Sequence, residues 1–294
     1  MTDENVLAPA DVTVGDIVRG PDRTSTLRID DAIVAGDPEG ARWVDARMSE
    51  LLRLIDDRHP RREVEDPEIA EAFFGLSPVL SAWRQVIPSA AALHPLYAPK
   101  KTLADGTPLD EVATRIFTHT LDGRGIRSRG AVLAWLLGQE YRERASGTWA
   151  SLACGAGAPV CRGAAALNNG SEVAQILLLD RDRTALDLTL SVARREGVER
   201  LIQPVEVDVL DRPAVQKAVG IQSCSVVECL GFFEYLPTDP PQDWIGAAEF
   251  LSTAWSLVAP GGVLLFANML DSHPELPFTA ARRPLAVHRA EVGG

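Results

Sequence analysis

The chain has 294 residues, of which 46% are hydrophobic and 24% charged, a globular composition that allows one large or two ordinary domains. Its formal net charge of −12 would repel a phosphate backbone, and no long run of Lys or Arg offsets that charge, so nucleic acid is excluded as an expected partner. The sequence carries no apolar run long enough to span a bilayer and no secretory signal, so we expect a cytoplasmic protein that does not contact membranes.

The first half of the chain carries helical periodicity. Val44, Met48 and Leu51 recur at helical spacing, and Pro60 is expected to end their helix. No alternating pattern typical of a strand stands out in this half, so we predict an all-helical domain over residues 1–145. Its further predicted helices begin after Asp66-Pro67 and cover Leu80–Ile87, Leu109–Phe117 and Ala131–Tyr141.

From Thr148 onward, short apolar strands alternate with helices. This alternation predicts an α/β fold over residues 146–294, with a mostly parallel, Rossmann-like sheet and helices on both of its faces. In such sheets, ligands bind outside the carboxyl ends of the strands. The predicted strands are Trp149–Cys154, Ile176–Leu179, Pro204–Val207, Ser225–Leu230 and Val263–Asn268. The main predicted helices are Thr184–Glu196 and a helix from Trp244 to Val258 that carries a broad apolar stripe.

Glycine or acidic residues stand at the predicted strand ends. Glycines let a backbone turn sharply and approach a ligand closely, and the N–H groups at the start of the following helix bind carboxylates well. A carboxylate such as Asp180 matches two neighbouring hydroxyl groups. In chain order, these positions are Gly155-Ala156-Gly157, Asp180, Asp208, Glu228 to Gly231, and Pro260-Gly261-Gly262 before the fifth strand.

This order of motifs resembles the class I S-adenosylmethionine-dependent methyltransferases, over roughly residues 130 to 270. The resemblance implies S-adenosylmethionine as cofactor and a small molecule as methyl acceptor. It places the ribose hydroxyls on Asp180, the adenine edge on Asp208 with the Val209 backbone, and the sulfonium near Leu230. The cofactor-binding residues that it implies are Ala153, Cys154, Gly155, Gly157, Asp180, Arg181, Asp208, Val209 and Leu230.

The resemblance also suggests where a general base would stand, if the acceptor needs one. Glu234 and Tyr235 follow the fourth strand, where this family often places substrate contacts, and they are the predicted catalytic residues. His94, His119 and His273 are further candidates, although a structural role is the stronger interpretation for each histidine alone. By analogy with small-molecule methyltransferases, the helices from residue 36 to 145 would cover the substrate.

The sequence departs from the family pattern at two positions. Ala153 stands where the family usually has an acid, and Pro159 where it often has a third glycine, so the contact to the cofactor's amino group is in doubt. One alternative is therefore a catalytically silent binding or regulatory protein that kept the fold. The other is an NAD(P)-dependent oxidoreductase, because Asp180 follows the glycines by about 25 residues, although Val160 replaces the third glycine of that fingerprint.

The four cysteines match neither a zinc-ligand spacing nor a disulfide framework, so we predict reduced thiols and no metal site. Little sequence follows Asn268, where family members usually add a helix and two strands. An uncovered sheet edge tends to pair with another edge. We therefore expect either self-association through this region, for example as a homodimer, or low stability.

Overall fold

A computed structural model of the protein describes residues 11–21, 24–58, 67–87, 89–97, 102–167, 172–236 and 245–267. These residues form two compact units that divide between Val132 and Leu133. None of the helices within the described ranges combines the length and apolar character that crossing a lipid bilayer requires.

The N-terminal unit opens with an antiparallel hairpin of strands β1 (Val12–Arg19) and β2 (Ser25–Asp31). The prediction of an all-helical N-terminal half is therefore wrong. The pairing register shifts between Val14 and Ile17, so β1 carries a bulge there. A bulge inserts an extra residue and interrupts the period of two, which hides the strand from a search for regular alternation.

Among the residues that the structure describes, seven helices follow the hairpin, and aromatic side chains form part of their core. Trp83 lies with its ring centroid 4.9 Å from that of Phe117 and 6.1 Å from that of Phe74. The helices are α1 (Ala32–Gly36), α2 (Pro38–Arg58), α3 (Pro67–Phe74), α4 (Pro78–Arg84), α5 (Ala90–Tyr97), α6 (Glu111–His119) and α7 (Leu121–Trp135).

Helix α7 begins ten residues before the predicted start at Ala131 and ends before Tyr141. Its first turns contain Gly123 and Gly125, which lower the helix propensity and conceal the helix in the sequence. The chain then continues as one π-helical turn, Leu136–Glu140. The division between the two units falls inside α7, whereas the boundary expected from the sequence, residue 145, comes after this helix.

Arg127 of α7 is fully buried and joins several elements of the N-terminal unit. Its Nη2 lies 2.9 Å from Oδ2 of Asp31, whose side chain also caps α1 by accepting from the Ile33 and Val34 N–H groups. The guanidinium also donates to the carbonyls of Phe117 and Thr118 at the end of α6. A buried arginine with this many acceptors has its charge well compensated.

Within its described residues, the C-terminal unit is built on five parallel strands in the order β5-β4-β3-β6-β7. Each strand predicted in this half corresponds to one of them, with shifted ends, and the predicted α/β fold with a mostly parallel, Rossmann-like sheet is confirmed. The elements are β3 (Gly147–Leu152), α8 (Ala158–Ala166), β4 (Val173–Asp180), α9 (Arg183–Arg195), β5 (Ile202–Glu206), α10 (Arg212–Val219), β6 (Cys224–Leu230), α11 (Ala247–Leu257) and β7 (Val258–Ala267).

Alternate residues of the central strands face opposite sides of the sheet. Ala150 of β3 and Val227 of β6 belong to a buried apolar cluster that includes Val215 of α10 and Phe250 of α11. The residues between them in the strands, such as Trp149, therefore face the other side. Trp149 is fully buried, and its indole N–H donates to the Ala145 carbonyl over 2.6 Å.

The Pro260-Gly261-Gly262 turn lies at the far end of the sheet from the carboxyl ends of the strands. Cys224 pairs with Val258 and Val226 with Val263, so residues 259–262 loop out of the ladder near the amino end of β6. There they line a cleft of about 380 Å³. The turn is therefore not part of a site at the carboxyl ends.

Candidate functional site

The order in which the chain adds strands to the sheet reverses beside β3. Strands β4 and β5 follow it on one side, and β6 and β7 on the other. Connections that leave in opposite directions open a crevice outside the carboxyl ends of the strands at this point, where ligands bind in open α/β sheets. The segment that leaves β3 there is the predicted glycine turn, residues 153–157.

Three residues of this turn adopt left-handed backbone conformations. Ala153, Gly155 and Gly157 have φ angles of 51°, 53° and 61°. Glycine accepts this conformation freely, whereas an alanine is strained in it by about 1–2 kcal/mol. The turn is closed by the N–H of Gly157, which donates to the Cys154 carbonyl over 2.8 Å before α8 begins.

Gly157 has a structural reason to be a glycine. A Cβ atom added there would lie 2.1 Å from Cγ2 of Thr189, which is fully buried in α9. The Thr189 hydroxyl in turn donates to the Gly155 carbonyl over 2.8 Å. The turn and α9 are therefore fitted closely together, and this part of the glycine motif is explained without a ligand.

Asp180 and the glycine turn meet at the crevice. Oδ2 of Asp180 accepts a hydrogen bond from the Gly155 N–H over 2.9 Å, and Oδ1 accepts one from the Asp182 N–H over 3.0 Å. Helix α9 is capped by Asp182, which accepts from the Thr184 N–H over 2.9 Å, as the sequence suggests. The Asp180 carboxylate is thus held at the end of β4 beside Gly155, and not used as the cap of α9.

The loop after β5 reaches the same end of the sheet. The Val207 N–H donates to the Asp180 carbonyl over 3.0 Å, which ties this loop to β4. Asp208 is partly buried, and its Oδ1 accepts from the Leu210 N–H over 2.9 Å. The Val209 side chain is buried in the apolar cluster, so only its backbone is available to a ligand.

The start of α8 offers fewer donors than the sequence suggests. The first four N–H groups of a helix have no partner within the helix, and they are the groups that bind anions. Pro159 is among the first two residues of α8 and has no N–H. The Cys161 N–H is already bonded to the Gly157 carbonyl over 3.1 Å.

Cys154 lies inside the turn and is not a nucleophile. Burial raises the pKa of its thiol well above the ordinary value of 9.0, and the nearby Asp180 carboxylate raises it further. Only a thiolate is a strong nucleophile. Cys154 is therefore a neutral thiol at physiological pH.

The residues that follow β6 include two phenylalanines that pack against other aromatic rings. Phe232 packs edge-on against the buried Phe250 at a centroid distance of 5.4 Å, and Phe233 lies 5.5 Å from Phe266. Both are partly buried and pack against the apolar cluster. Leu230 and Tyr235 are partly buried beside them. The Glu234 side chain lies outside the described part of the protein.

The histidine candidates are not brought to this site by any described contact. His119 is 1% exposed, and its Nε2 lies 2.8 Å from Oδ2 of Asp37 in the N-terminal unit. This is the structural role expected of a single histidine. His94 lies in α5, also in the N-terminal unit, and His273 is outside the described residues.

Glu228, the first residue of the strand-end motif Glu228 to Gly231, is a buried acid inside β6. Glu228 is 4% exposed and pairs in register with Ser151 of β3, which is 1% exposed and donates from its hydroxyl to Oε1 of Glu228. A signal was present in the sequence, because one acid interrupts the apolar run of residues 226–230. Glutamate side chains are seldom fully buried unless they are paired, as Glu228 is with Ser151.

No protein-family model and no curated protein matches the chain. Among solved structures, it is similar to a possible exported protein from Bordetella parapertussis, with a TM-score of 0.50 and 16% identity over 76% of this chain and 70% of that one. At this identity, the similarity shows a shared fold.

Several other similar structures are methyltransferases. An S-adenosylmethionine-dependent methyltransferase from Geobacter sulfurreducens, in complex with S-adenosyl-L-homocysteine, is 18% identical over 46% of this chain and 47% of that one, with a TM-score of 0.33. Geranyl diphosphate C-methyltransferase from Streptomyces coelicolor is 14% identical over 54% of this chain and 49% of that one, with a TM-score of 0.38. The chain spans about half the length of these two proteins.

Proposed function

We propose that the chain is an S-adenosylmethionine-dependent methyltransferase that acts on a small-molecule acceptor. The observation that carries the proposal is the hydrogen bond between the Asp180 carboxylate and the Gly155 N–H. This hydrogen bond holds an acid against a left-handed glycine turn, at the carboxyl ends of the adjacent parallel strands β3 and β4. The strand order of the sheet reverses at the same place. An adenosine with an amino-acid end needs both features together.

The hydrogen-bonding capacity of Asp180 fits a ribose. An ionised carboxylate offers about four lone-pair positions. The N–H groups of Gly155 and Asp182 use two of them and fix the orientation of the carboxylate. The capacity that remains matches two neighbouring ribose hydroxyls. We assign Arg181 to the rim of this subsite, and Asp208 with the Val209 backbone to the adenine edge.

S-adenosylmethionine, when bound, supplies an electrophilic methyl group on a sulfonium. Leu230 ends β6 as a partly buried apolar residue, and there it would keep water from the reacting end of the cofactor. If the acceptor loses a proton, Tyr235 would accept a hydrogen bond from that O–H or N–H at its phenolic oxygen, and the neighbouring Glu234 carboxylate would take up the proton. Much of the rate would come from holding donor and acceptor in line.

Two alternatives are weaker on specific grounds. A dinucleotide-binding fingerprint needs a third glycine for close approach of helix and strand. Val160 stands in its place, with its side chain fully buried in α8. A catalytically silent protein of the same fold is motivated by Ala153, where the family acid is missing, but that alternative gives the partly buried Asp180–Gly155 contact no ligand to serve.

Calorimetric titration of the purified chain with S-adenosylhomocysteine and with NADH tests the proposal. We expect micromolar affinity for S-adenosylhomocysteine and no heat with NADH. Binding of NADH alone would support the oxidoreductase, and binding of neither ligand would support the silent protein. A structure with S-adenosylhomocysteine bound would then show the size and polarity of the acceptor pocket beside the sulfur.

We further propose that the protein works in the cytoplasm and without nucleic acid. In support, all four of its cysteines lie in the described residues and are free thiols, as a reducing compartment would keep them. A homodimer is the proposed assembly, and β7, which pairs with β6, is the outermost strand on its side of the described sheet. Light scattering at several concentrations measures the assembly directly.

A further inference from the structure

We infer that the methyl acceptor is a neutral aromatic molecule whose ring packs against Phe266 and Phe233, at the carboxyl ends of β6 and β7. This inference rests on the proposed function, and it gives that function a class of substrate. The ring of the acceptor would carry the hydroxyl or amino group that receives the methyl group.

The carboxyl ends of β6 and β7 are the place left for the acceptor. The cofactor-binding residues proposed above follow β3, β4 and β5, apart from Leu230 at the end of β6. Leu230 pairs in register with Ala267, so the end of β7 lies beside the proposed reacting end of the cofactor, on the side away from β3. Ligands of open α/β sheets bind outside the carboxyl ends of the strands. The acceptor is therefore expected above β6 and β7.

Phe266 is an exposed aromatic residue at this place. It is the second-last residue of β7 and pairs with Cys229, so it lies on the sheet face that carries α11. Its side chain is 51% exposed, although Phe233 packs against it with a centroid distance of 5.5 Å and an interplanar angle of 41°. About half of a large apolar side chain is thus open to a ligand beside the end of β6.

The turn that follows β6 holds Phe233 in this position. Gly231 has a φ angle of 108°, which glycine adopts freely, and it directs the chain out of the strand. Phe232 then packs against the buried Phe250 of α11. The Leu236 N–H donates to the Phe233 carbonyl over 3.1 Å and closes a short 3-10 turn. The Phe233 ring is therefore fixed beside Phe266 before any ligand binds.

Two phenylalanine rings favour a third aromatic ring over a polar or anionic ligand. Neither ring carries a polar atom, so a ligand rich in hydroxyl groups would lose its hydrogen bonds to water there without replacement. An aromatic ligand gains offset or edge-on ring contacts in addition to the burial of its apolar surface. The net charge of −12 repels anions, so a neutral ligand is favoured.

The spacing of the strands lets such a ring reach the reacting end of the cofactor. Neighbouring strands lie about 4.8 Å apart, so a ligand of one or two fused rings that contacts Phe266 also reaches the end of β6. In the transfer, the acceptor oxygen or nitrogen forms a bond to the methyl carbon while the bond from that carbon to sulfur breaks. The electron pair of the broken bond stays on sulfur, and the acceptor proton passes to a base, the role proposed above for Glu234.

Calorimetric titrations of the chain saturated with S-adenosylhomocysteine test the inference with two probes. 2-Naphthol is a neutral aromatic alcohol, and decahydro-2-naphthol is its saturated analogue. We expect the wild type to bind 2-naphthol more tightly than the analogue. Phe266→Leu should weaken binding of 2-naphthol about 3- to 10-fold, the loss of one aromatic contact. Its affinity for decahydro-2-naphthol should stay within about twofold, because leucine keeps an apolar contact.

Trp255→Leu is the matched control. Trp255 is also an exposed aromatic residue of the same unit, at 63%, but it lines the cleft beside Pro260, near the amino end of β6. We expect this variant to bind both probes as the wild type does. The wild type and both variants should bind S-adenosylhomocysteine equally well, since neither residue is assigned to the cofactor.

The inference is wrong if Phe266→Leu keeps its affinity for 2-naphthol, if it loses affinity equally for both probes, or if Trp255→Leu loses as much. A wild type that binds S-adenosylhomocysteine but not 2-naphthol would also overturn it and would leave the proposed function standing. Failure to bind S-adenosylhomocysteine would instead contradict the proposed function itself. If circular dichroism shows that Phe266→Leu does not fold, Phe233→Leu removes the other ring, and the same selective loss is expected.

Discussion

The methyl group of Thr189 occupies the space that a side chain at residue 157 would need. An added Cβ at Gly157 would lie 2.1 Å from Cγ2 of Thr189. The second glycine of the motif is therefore fixed by the contact between the turn and α9. Gly155, whose N–H donates to the Asp180 carboxylate, is the glycine that connects the turn to the candidate site.

The variant Gly157→Ala should lower the free energy of unfolding by about 2–4 kcal/mol, because it combines a left-handed backbone with an overpacked contact. Urea denaturation followed by circular dichroism measures this loss. In a Thr189→Ser background, which removes the methyl group and keeps the hydroxyl, the same substitution should cost clearly less. An identical cost in both backgrounds would show that the contact with Thr189 is not its cause.

The variant Asp180→Asn should weaken binding of S-adenosylhomocysteine about 10- to 100-fold, because it removes the charge that receives the ribose hydroxyls. Isothermal calorimetry gives the affinity. Asp182→Ser is the control: it removes a charge two residues away but keeps a good N-cap for α9. Equal affinities of the two variants would contradict the role given to Asp180.

The variant Arg127→Met should lower the free energy of unfolding by about 3–5 kcal/mol. The substitution leaves Asp31, whose side chain is 6% exposed, without its buried cationic partner. Thermal and urea unfolding measure the loss. Arg28→Met provides the comparison, since Arg28 pairs with Asp16 at the surface and its side chain is 61% exposed. That change should stay within about 0.5 kcal/mol, and a similar loss for both variants would contradict the assignment.

The stability of the N-terminal unit should depend on pH through Asp37. The Gly40 N–H, and then His119, hold the pKa of this carboxyl below its ordinary value of 3.8. A carboxyl with a lowered pKa stabilises the folded state above its unfolded pKa, and the contribution is lost as the pH falls through the folded pKa. Asp37→Asn should therefore lose less stability than the wild type below about pH 3.8. Urea midpoints between pH 7 and pH 2.5 test this, and parallel curves would contradict it.

The sequence predicts the C-terminal unit well because its central strands are buried on both faces. Ile176–Leu179 is uniformly apolar and ends at an acid, so it indicates a central parallel strand without knowledge of its partners. The hairpin of β1 and β2 could not be predicted in this way. Its strands are partly exposed and carry a bulge, so the alternation is broken where it would have been recognised.

The site was predictable only as far as local sequence determines it. Asp180 follows a recognisable strand, and its contact with Gly155 depends on two neighbouring strand ends meeting. The pairing of Ser151 with Glu228 depends instead on β6 lying beside β3, an arrangement that local patterns do not contain. The fit of Gly157 against Thr189 is likewise a property of the packed structure.

The place of β3 in the sheet has a consequence for the nascent chain. β3 pairs with β4 on one side, but its other partner, β6, begins only at Cys224. While the ribosome is still adding the residues before Cys224, a half-sheet of β3, β4 and β5 would carry an open edge along Trp149 to Ser151. Unpaired apolar edges of this kind are the surfaces through which partly synthesised domains aggregate, and those to which chaperones are directed.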